Sequence, residues 1–415
     1  MDTPISAEGL TENFFAPGDS RFIVNPMKKF FYRCTQCGQE YEISPEIMLC
    51  PVCAAEQKPD EPLRGVLQVV AEGKTPDPRN IYEFLPVEKE FFPDMPVGST
   101  PLWRPKNLRK ILGFPNLFLK DDTANPTGSL KDRASFLVAA FAKKCGIKKI
   151  VVASTGNAGS SMAGVGACAG LEVILFVPKT APRAKLVQAL QYGAKLMPVD
   201  GNYDLAFDLS LQYSKKHGGL NRNTAYNPMT IEGKKTVAIE IFNQIGGIPD
   251  YVFVPVGDGV ILAGTYRGFE DLQKFGLAKK IPTIYAVQSE GSCAVCRALA
   301  TGNFDRPIPS KTIADSISVD IPRNGYYAVE LLRRHNGKCI TVSDEEILRA
   351  QKILSETTGL FAEPAGATSL AGFIKVKDQI PADATVVLLI TGTGLKDIDS
   401  ATKILEFPDG AIKSV

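Results

Sequence analysis

The sequence predicts an α/β chain of two packed lobes, with mostly parallel sheets and a small cysteine-bearing segment in front. Three observations carry that prediction. The chain has 415 residues, more than one small core accommodates. From about Gly98 onward, short apolar runs alternate with segments of helical spacing, the pattern of strands joined by crossover helices. Ahead of them stand two Cys-x-x-Cys knuckles. Composition agrees: 44% hydrophobic and 22% charged residues exclude disorder as the main state. Lys+Arg 47 against Asp+Glu 45 leaves a net charge of +2, too little for a polyanion-binding field.

Taken in order, residues 1–30 read as an irregular arm with weak periodicity. Cys34-x-x-Cys37 and Cys50-x-x-Cys53 follow, twelve residues apart, spaced to offer four thiolates to a tetrahedral Zn²⁺. A degenerate ribbon that folds without metal is the plainer reading. Residues 54–80 are polar, with Lys58-Pro59-Asp60-Glu61-Pro62 as a linker. Strands are expected at Leu117–Lys120, Ile150–Val152, Val173–Val177, Tyr251–Val254 and Thr385–Ile390. Helices are expected over 183–192, 203–216, 233–245 and 343–357. No apolar run is long enough to span a membrane, and the start lacks a secretory layout. With nine cysteines, an odd number, this points to a reducing cytoplasm rather than a disulfide framework.

The chemistry is expected at turns that follow strands. Asn125-Pro126-Thr127-Gly128-Ser129-Leu130-Lys131-Asp132-Arg133 opens a helix, with Ser129 and Asp132 spaced as a capping pair. Lys131 then falls in the first turn, where the helix dipole lowers its pKa and favours a neutral, nucleophilic amine. A solvated surface lysine is the bland alternative. Ser154-Thr155-Gly156-Asn157 precedes a small-residue helix and offers amides and hydroxyls to an anion, or simply caps that helix. Val256-Gly257-Asp258-Gly259-Val260-Ile261 suits a phosphate cradle, although Asp258 must point away or accept backbone N–H bonds. Thr391-Gly392-Thr393-Gly394 ends the most apolar strand and suits close approach of a flat ring. Each motif has an ordinary turn as its alternative. Together, at strand ends of one sheet, they match the handles of pyridoxal 5'-phosphate: aldehyde, ring oxygen, phosphate and ring nitrogen.

Those motifs, with Glu363-Pro364-Ala365-Gly366-Ala367 and Thr391-Gly392-Thr393-Gly394-Leu395-Lys396-Asp397, resemble the threonine synthase family of the tryptophan-synthase-β-like, fold type II group. The likeness runs from about Thr100 to Asp397, and the cysteine knuckles resemble the zinc-ribbon-like start of many such enzymes. The resemblance implies that Lys131 joins the cofactor covalently and later acts as acid and base. It implies that Asn157 meets the ring phenolate oxygen and Thr391 the ring nitrogen. It further implies that Gly257, Asp258, Gly259, Val260 and Ile261 hold the phosphate through backbone N–H groups. Ser154, Thr155 and Gly156 fall where the family grips the substrate carboxylate.

The implied reaction converts O-phosphohomoserine and water to threonine and phosphate, a step of threonine biosynthesis. Arg183, Lys185 and Lys234 are candidate hosts for the arriving phosphate. Three departures from the family bear on this: Pro96-Val97-Gly98-Ser99, Thr393 and Asp258. A serine/threonine dehydratase or a β-replacement enzyme of cysteate synthase type is therefore the alternative.

A zinc-ribbon nucleic-acid binder with an inert lobe is the competing class, and the near-neutral charge argues against it. The expected layout is an arm with Cys knuckles over 1–60, a large lobe from 61–131 and 229–415, and a small lobe over 132–228. The expected partners are a small amino-acid substrate and a second copy of the chain, with no nucleic acid and no membrane.

Overall fold

The computed structural model describes residues 29–179, 181 and 183–405; the arm expected over residues 1–28 lies outside them. Thirteen strands form three sheets among the described residues. The first is antiparallel, in the order β2-β1-β3, from Lys29–Cys34 (β1), Glu40–Tyr41 (β2) and Leu67–Glu72 (β3). Its turns carry the cysteine knuckles.

The second sheet has six strands. Leu102–Trp103 (β4) and Leu117–Asp121 (β5) come early in the chain. Lys149–Ala153 (β6), Glu172–Pro178 (β7), Lys195–Val199 (β8) and Leu220–Asn221 (β9) then build a separate four-stranded sheet, all parallel, in the order β8-β7-β6-β9. The chain returns to the larger sheet with Tyr251–Pro255 (β10), Thr283–Ser289 (β11), Lys338–Val342 (β12) and Val386–Ile390 (β13). Its order is β12-β11-β10-β13-β5-β4, parallel except for the short edge strand β4.

Central strands are apolar on both faces because helices cover both sides. β13 is buried at every position and lies between β10 and β5. The expected strands form within a residue or two of their predicted limits. The expected helix over 233–245 is two helices, Met229–Lys234 and Thr236–Ile245. The first packs by close backbone approach. A Cβ at Gly264, in the helix Val260–Lys274, would sit 2.7 Å from the Lys234 Cβ.

One expectation about cysteine is corrected. Cys296, in the helix Ala294–Thr301, is disulfide-bonded to Cys339 of β12, because that helix packs beside the edge strand. The other described cysteines are free. Among the described residues no helix is long and apolar enough to cross a membrane.

Candidate active site

The four chemistry-bearing turns meet around one cavity region, but they do not come from one sheet. The Lys131, Gly257 and Thr391 turns end β5, β10 and β13 of the larger sheet. The Ser154 turn ends β6 of the smaller one. The reading of a single sheet is therefore corrected: the site lies between two sheets whose strand ends face each other. A cavity of about 260 Å³ is lined by Lys131, Ser154, Thr155, Gly156, Asn157, Gly257, Asp258, Gly259 and Ile261. A larger hollow, about 1050 Å³, lies between the ribbon and the end of the helix Lys131–Lys144, and none of the motif residues lines it.

Lys131 opens its helix, as the spacing predicts. The capping pair does not form. The Asp132 carboxylate instead accepts from Thr127, from its N–H at 2.7 Å and its hydroxyl at 2.5 Å. The Ser129 hydroxyl is left buried without a partner. The pKa of Lys131 is lowered, but burial is the leading cause rather than the helix terminus alone. Glu363 and Asp258 pull it back up, and Arg222 pushes it further down. The direction is the one an amine nucleophile requires.

In the second turn Ser154 is committed to capping. Its Oγ accepts from the N–H groups of Gly156 at 3.2 Å and Gly159 at 3.0 Å, which starts the helix Asn157–Ala169. Small residues let that helix lie close on β7, since a Cβ at Gly166 would meet Val173 at 2.5 Å. The Asn157 amide donates to Glu363 Oε1 at 2.8 Å, Glu363 Oε2 at 3.0 Å and Ser316 Oγ at 3.1 Å. Glu363 is almost fully buried, and its pKa is raised by that burial against the pull of Lys131 and Asn157.

The third turn forms a cradle. Gly259 sits at φ 88° as the residue before the helix Val260–Lys274, a conformation only glycine adopts freely. Asp258 accepts from Val260 N at 2.9 Å, so its carboxylate caps the helix instead of facing an incoming anion head-on. Gly257 is tight for another reason: a Cβ there would meet the Ile317 backbone at 2.8 Å. That contact packs the segment around Ala314-Asp315-Ser316-Ile317-Ser318 against the cradle, and Asp315 to Ser318 line the cavity there. At the fourth turn, Thr391 accepts from Leu130 N through its carbonyl at 2.9 Å, tying the end of β13 to the residue before Lys131. Its hydroxyl is buried and has no partner among the described residues.

Several lining residues carry no motif. Tyr203, Arg222 and Ser316 face the cavity, and Arg222 is 1% exposed with an unpartnered guanidinium nitrogen. Lys234 also lines it, 2% exposed. Burial lowers the Lys234 pKa to about 7 against the pull of Asp258. The side chains of Arg183 and Lys185 lie outside the described residues. Pro96–Ser99 is not part of the cavity wall. Ser99 N donates to Glu240 and Gly98 N to Asn125, so the stretch braces the Lys131 turn from outside. Thr393 lines a neighbouring hollow of about 910 Å³ beyond Asn157.

The four cysteines converge in the ribbon. Their Sγ atoms all lie within 4.8 Å of one another. Cys34–Cys53 and Cys37–Cys50 are each 3.7 Å apart. Thiolates about 2.3 Å from a tetrahedral ion are separated by roughly 3.8 Å, so the cluster can hold a metal.

Comparison with known proteins gives a consistent answer. Residues 94–392 match the family model described as "Pyridoxal-phosphate dependent enzyme". Threonine synthase of Methanocaldococcus jannaschii is 35% identical over 389 residues, covering 91% of this chain and 95% of that protein. The Methanosarcina acetivorans threonine synthase is 33% identical, with the same coverage. Among solved structures, maize serine racemase superposes with a TM-score of 0.64 at 22% identity, covering 72% of this chain and 89% of that one. A tomato (Solanum lycopersicum) threonine deaminase reaches 0.65 at 20% identity, covering 86% and 98%. At such identities the structural likeness speaks for the fold alone. By sequence, the chain belongs to the threonine synthase family of pyridoxal-phosphate dependent enzymes.

Proposed function

We propose that the protein is a pyridoxal phosphate-dependent threonine synthase, converting O-phosphohomoserine and water to threonine and phosphate. The observation that carries this reading is the environment of Lys131: a half-buried amine of lowered pKa, between a glycine cradle and an asparagine amide, beside a strand end with an orphaned hydroxyl. The orphans fit the cofactor. The Thr391 hydroxyl has no protein partner and suits a ring nitrogen, and the N–H groups of Gly257 to Ile261 at a helix N-terminus suit its phosphate. Bound there, the cofactor supplies an electron sink for charge developed on the substrate carbons.

The chain's own residues do the rest in this reading. Lys131 Nζ holds the cofactor and then takes and returns protons along the substrate. Asn157 Nδ2, held by Glu363 and Ser316, turns one of its two N–H groups from them to the phenolate oxygen. The Thr155 and Gly156 turn, shaped by the Ser154 cap, receives the substrate carboxylate. A neutral threonine at the ring nitrogen keeps the sink modest, which favours elimination and replacement over amino transfer. Overall, a proton leaves the β carbon and the γ C–O bond breaks with its electron pair on phosphate, which ends with that proton while a Cβ–Cγ double bond forms. Water then adds across it, hydroxyl to the β carbon and a proton to the γ carbon.

A phosphate-release assay across O-phosphohomoserine, O-phosphoserine, serine and threonine is the test. Release from O-phosphohomoserine with threonine formed is expected. A keto acid and ammonia from serine or threonine would replace this reading with the dehydratase one.

For the ribbon we propose Zn²⁺, held by Cys34, Cys37, Cys50 and Cys53, as an organiser of a segment with little core of its own. Elemental analysis should find one zinc per chain, lost in C34S; a metal-free, folded ribbon would remove the proposal.

A further inference from the structure

The cavity carries more positive charge than one cofactor phosphate needs. The cradle at Gly257 to Ile261 is by itself an anion site. Lys234 stands beside it, its Cβ pressed against the position of Gly264, one turn into the helix that the cradle opens. That ammonium faces a cavity it shares with Asp258, which offsets it.

Arg222 feels Asp258 and Asp132 only at a distance and pairs with neither. It follows β9 and is fixed by its backbone, with N donating to Val151 O at 2.8 Å. Among the described residues its side chain makes one hydrogen bond, a long one of 3.4 Å from Nε to Ser135 Oγ on the helix that Lys131 opens. One terminal nitrogen is buried with no partner, and Arg222 has no ion pair among the described residues. Burial lowers its pKa to about 10, yet a guanidinium stays charged at neutral pH. A charge buried this way is retained only where something arrives to neutralise it. A planar fork of N–H donors is matched to phosphate oxygens.

We propose that Arg222 receives the phosphate of a phosphorylated amino-acid substrate, and so sets the preference for phosphate esters over free hydroxy amino acids. The proposal rests on the reading of the site as a pyridoxal phosphate centre. Lys234 belongs with the cofactor side of the cavity, and the two phosphates are thereby held by different residues.

The test uses the cofactor-loaded enzyme, whose cradle is already filled. Inorganic phosphate is titrated by calorimetry into wild type, R222Q and R222K, and threonine is titrated by the absorbance of the cofactor. R222Q should weaken phosphate at least tenfold and raise KM for O-phosphohomoserine by a similar factor. R222K should recover part of both. Threonine affinity and cofactor content should stay as in wild type, and the thermal transition should not fall. Phosphate affinity unchanged in R222Q, an equal loss for threonine, or a wild type that binds no phosphate would each overturn the assignment. If phosphate binding depends on Arg222 but O-phosphohomoserine is not turned over, Arg222 stands and the proposed substrate falls.

Discussion

Lys234 and Lys235 are neighbours in the chain, equally buried, and opposite in character. Lys235 is 0% exposed and bonded to Glu232 and, at 2.6 Å, to Asp271. Asp271 is shared with Arg267 at 3.0 Å, so each charge in that cluster has a counter-charge. Lys234 is 2% exposed and has no hydrogen bond or ion pair among the described residues. Two arginines repeat the contrast. Arg133 is held by Asp122 at 2.7 Å and Glu240 at 2.6 Å, and Glu240 also takes Lys120 at 2.7 Å. Arg222 has only its long contact to Ser135. Paired cations fasten helices to one another. Unpaired ones face the cavity. Burial alone does not mark a functional charge; burial with an unmet partner does.

The largest expected effect breaks the paired member. K235M leaves Glu232 buried without its paired cation and Asp271 with Arg267 alone, which should cost about 3–5 kcal/mol in denaturant unfolding of the cofactor-free protein. A loss below about 1 kcal/mol would erase the contrast.

K234M should do the reverse. Its removal relieves an uncompensated charge, so the cofactor-free variant should be more stable than wild type by about 2–4 kcal/mol near pH 7. The folded-state pKa of Lys234 lies near 7, below its usual 10.5. Between those values the unfolded chain binds the extra proton, and wild-type stability falls as pH drops through that window. The advantage of K234M should therefore grow from about pH 10.5 down to about pH 7 and then level off. A difference independent of pH would contradict it. In the same variant, cofactor affinity should fall roughly tenfold, a loss of about 1.4 kcal/mol, because the cradle loses its adjacent cation. In K235M it should be unchanged, which keeps the two roles separable.

Glu240 gives a smaller version of the same contrast. Burial pushes its carboxyl up, yet Arg133 and Lys120 overcome that and hold it at about 2. Its contribution is complete above its unfolded value near 4.5 and disappears as pH falls toward 2. Acid unfolding of E240Q, compared with wild type, should lack that part of the transition.

Much of this was legible in the sequence, because strand-end turns announce themselves locally. Lys131, Asn157, Gly257 and Thr391 sit in runs of small and hydroxyl-bearing residues directly after apolar strands, and the structure brings those runs together. Asp258 was legible too: a carboxylate in a phosphate turn had to point away or accept from backbone N–H groups, and it accepts from Val260 N.

Arg222 and Tyr203 were not legible. They reach the cavity by tertiary folding from a two-residue strand end and a helix start, with no spacing to distinguish them from surface residues. Strands β11 and β12 escaped for a related reason. They mix polar residues such as Gln288 and Thr341 into short runs, and their pairing partners lie far along the chain. The failed capping pair at Ser129 is informative in the same way. Asp132 had a nearer donor in Thr127, which freed a hydroxyl two residues before Lys131.

The central claim is that Lys131 carries the cofactor in this cavity. Borohydride reduction of the pyridoxal phosphate-loaded protein, followed by peptide mass mapping, tests it directly. Bleaching of the yellow band, with the added mass fixed on Lys131 and absent in K131A, is the result expected. A band that bleaches with the mass on another lysine, or a folded protein that stays colourless in excess cofactor, would contradict the account.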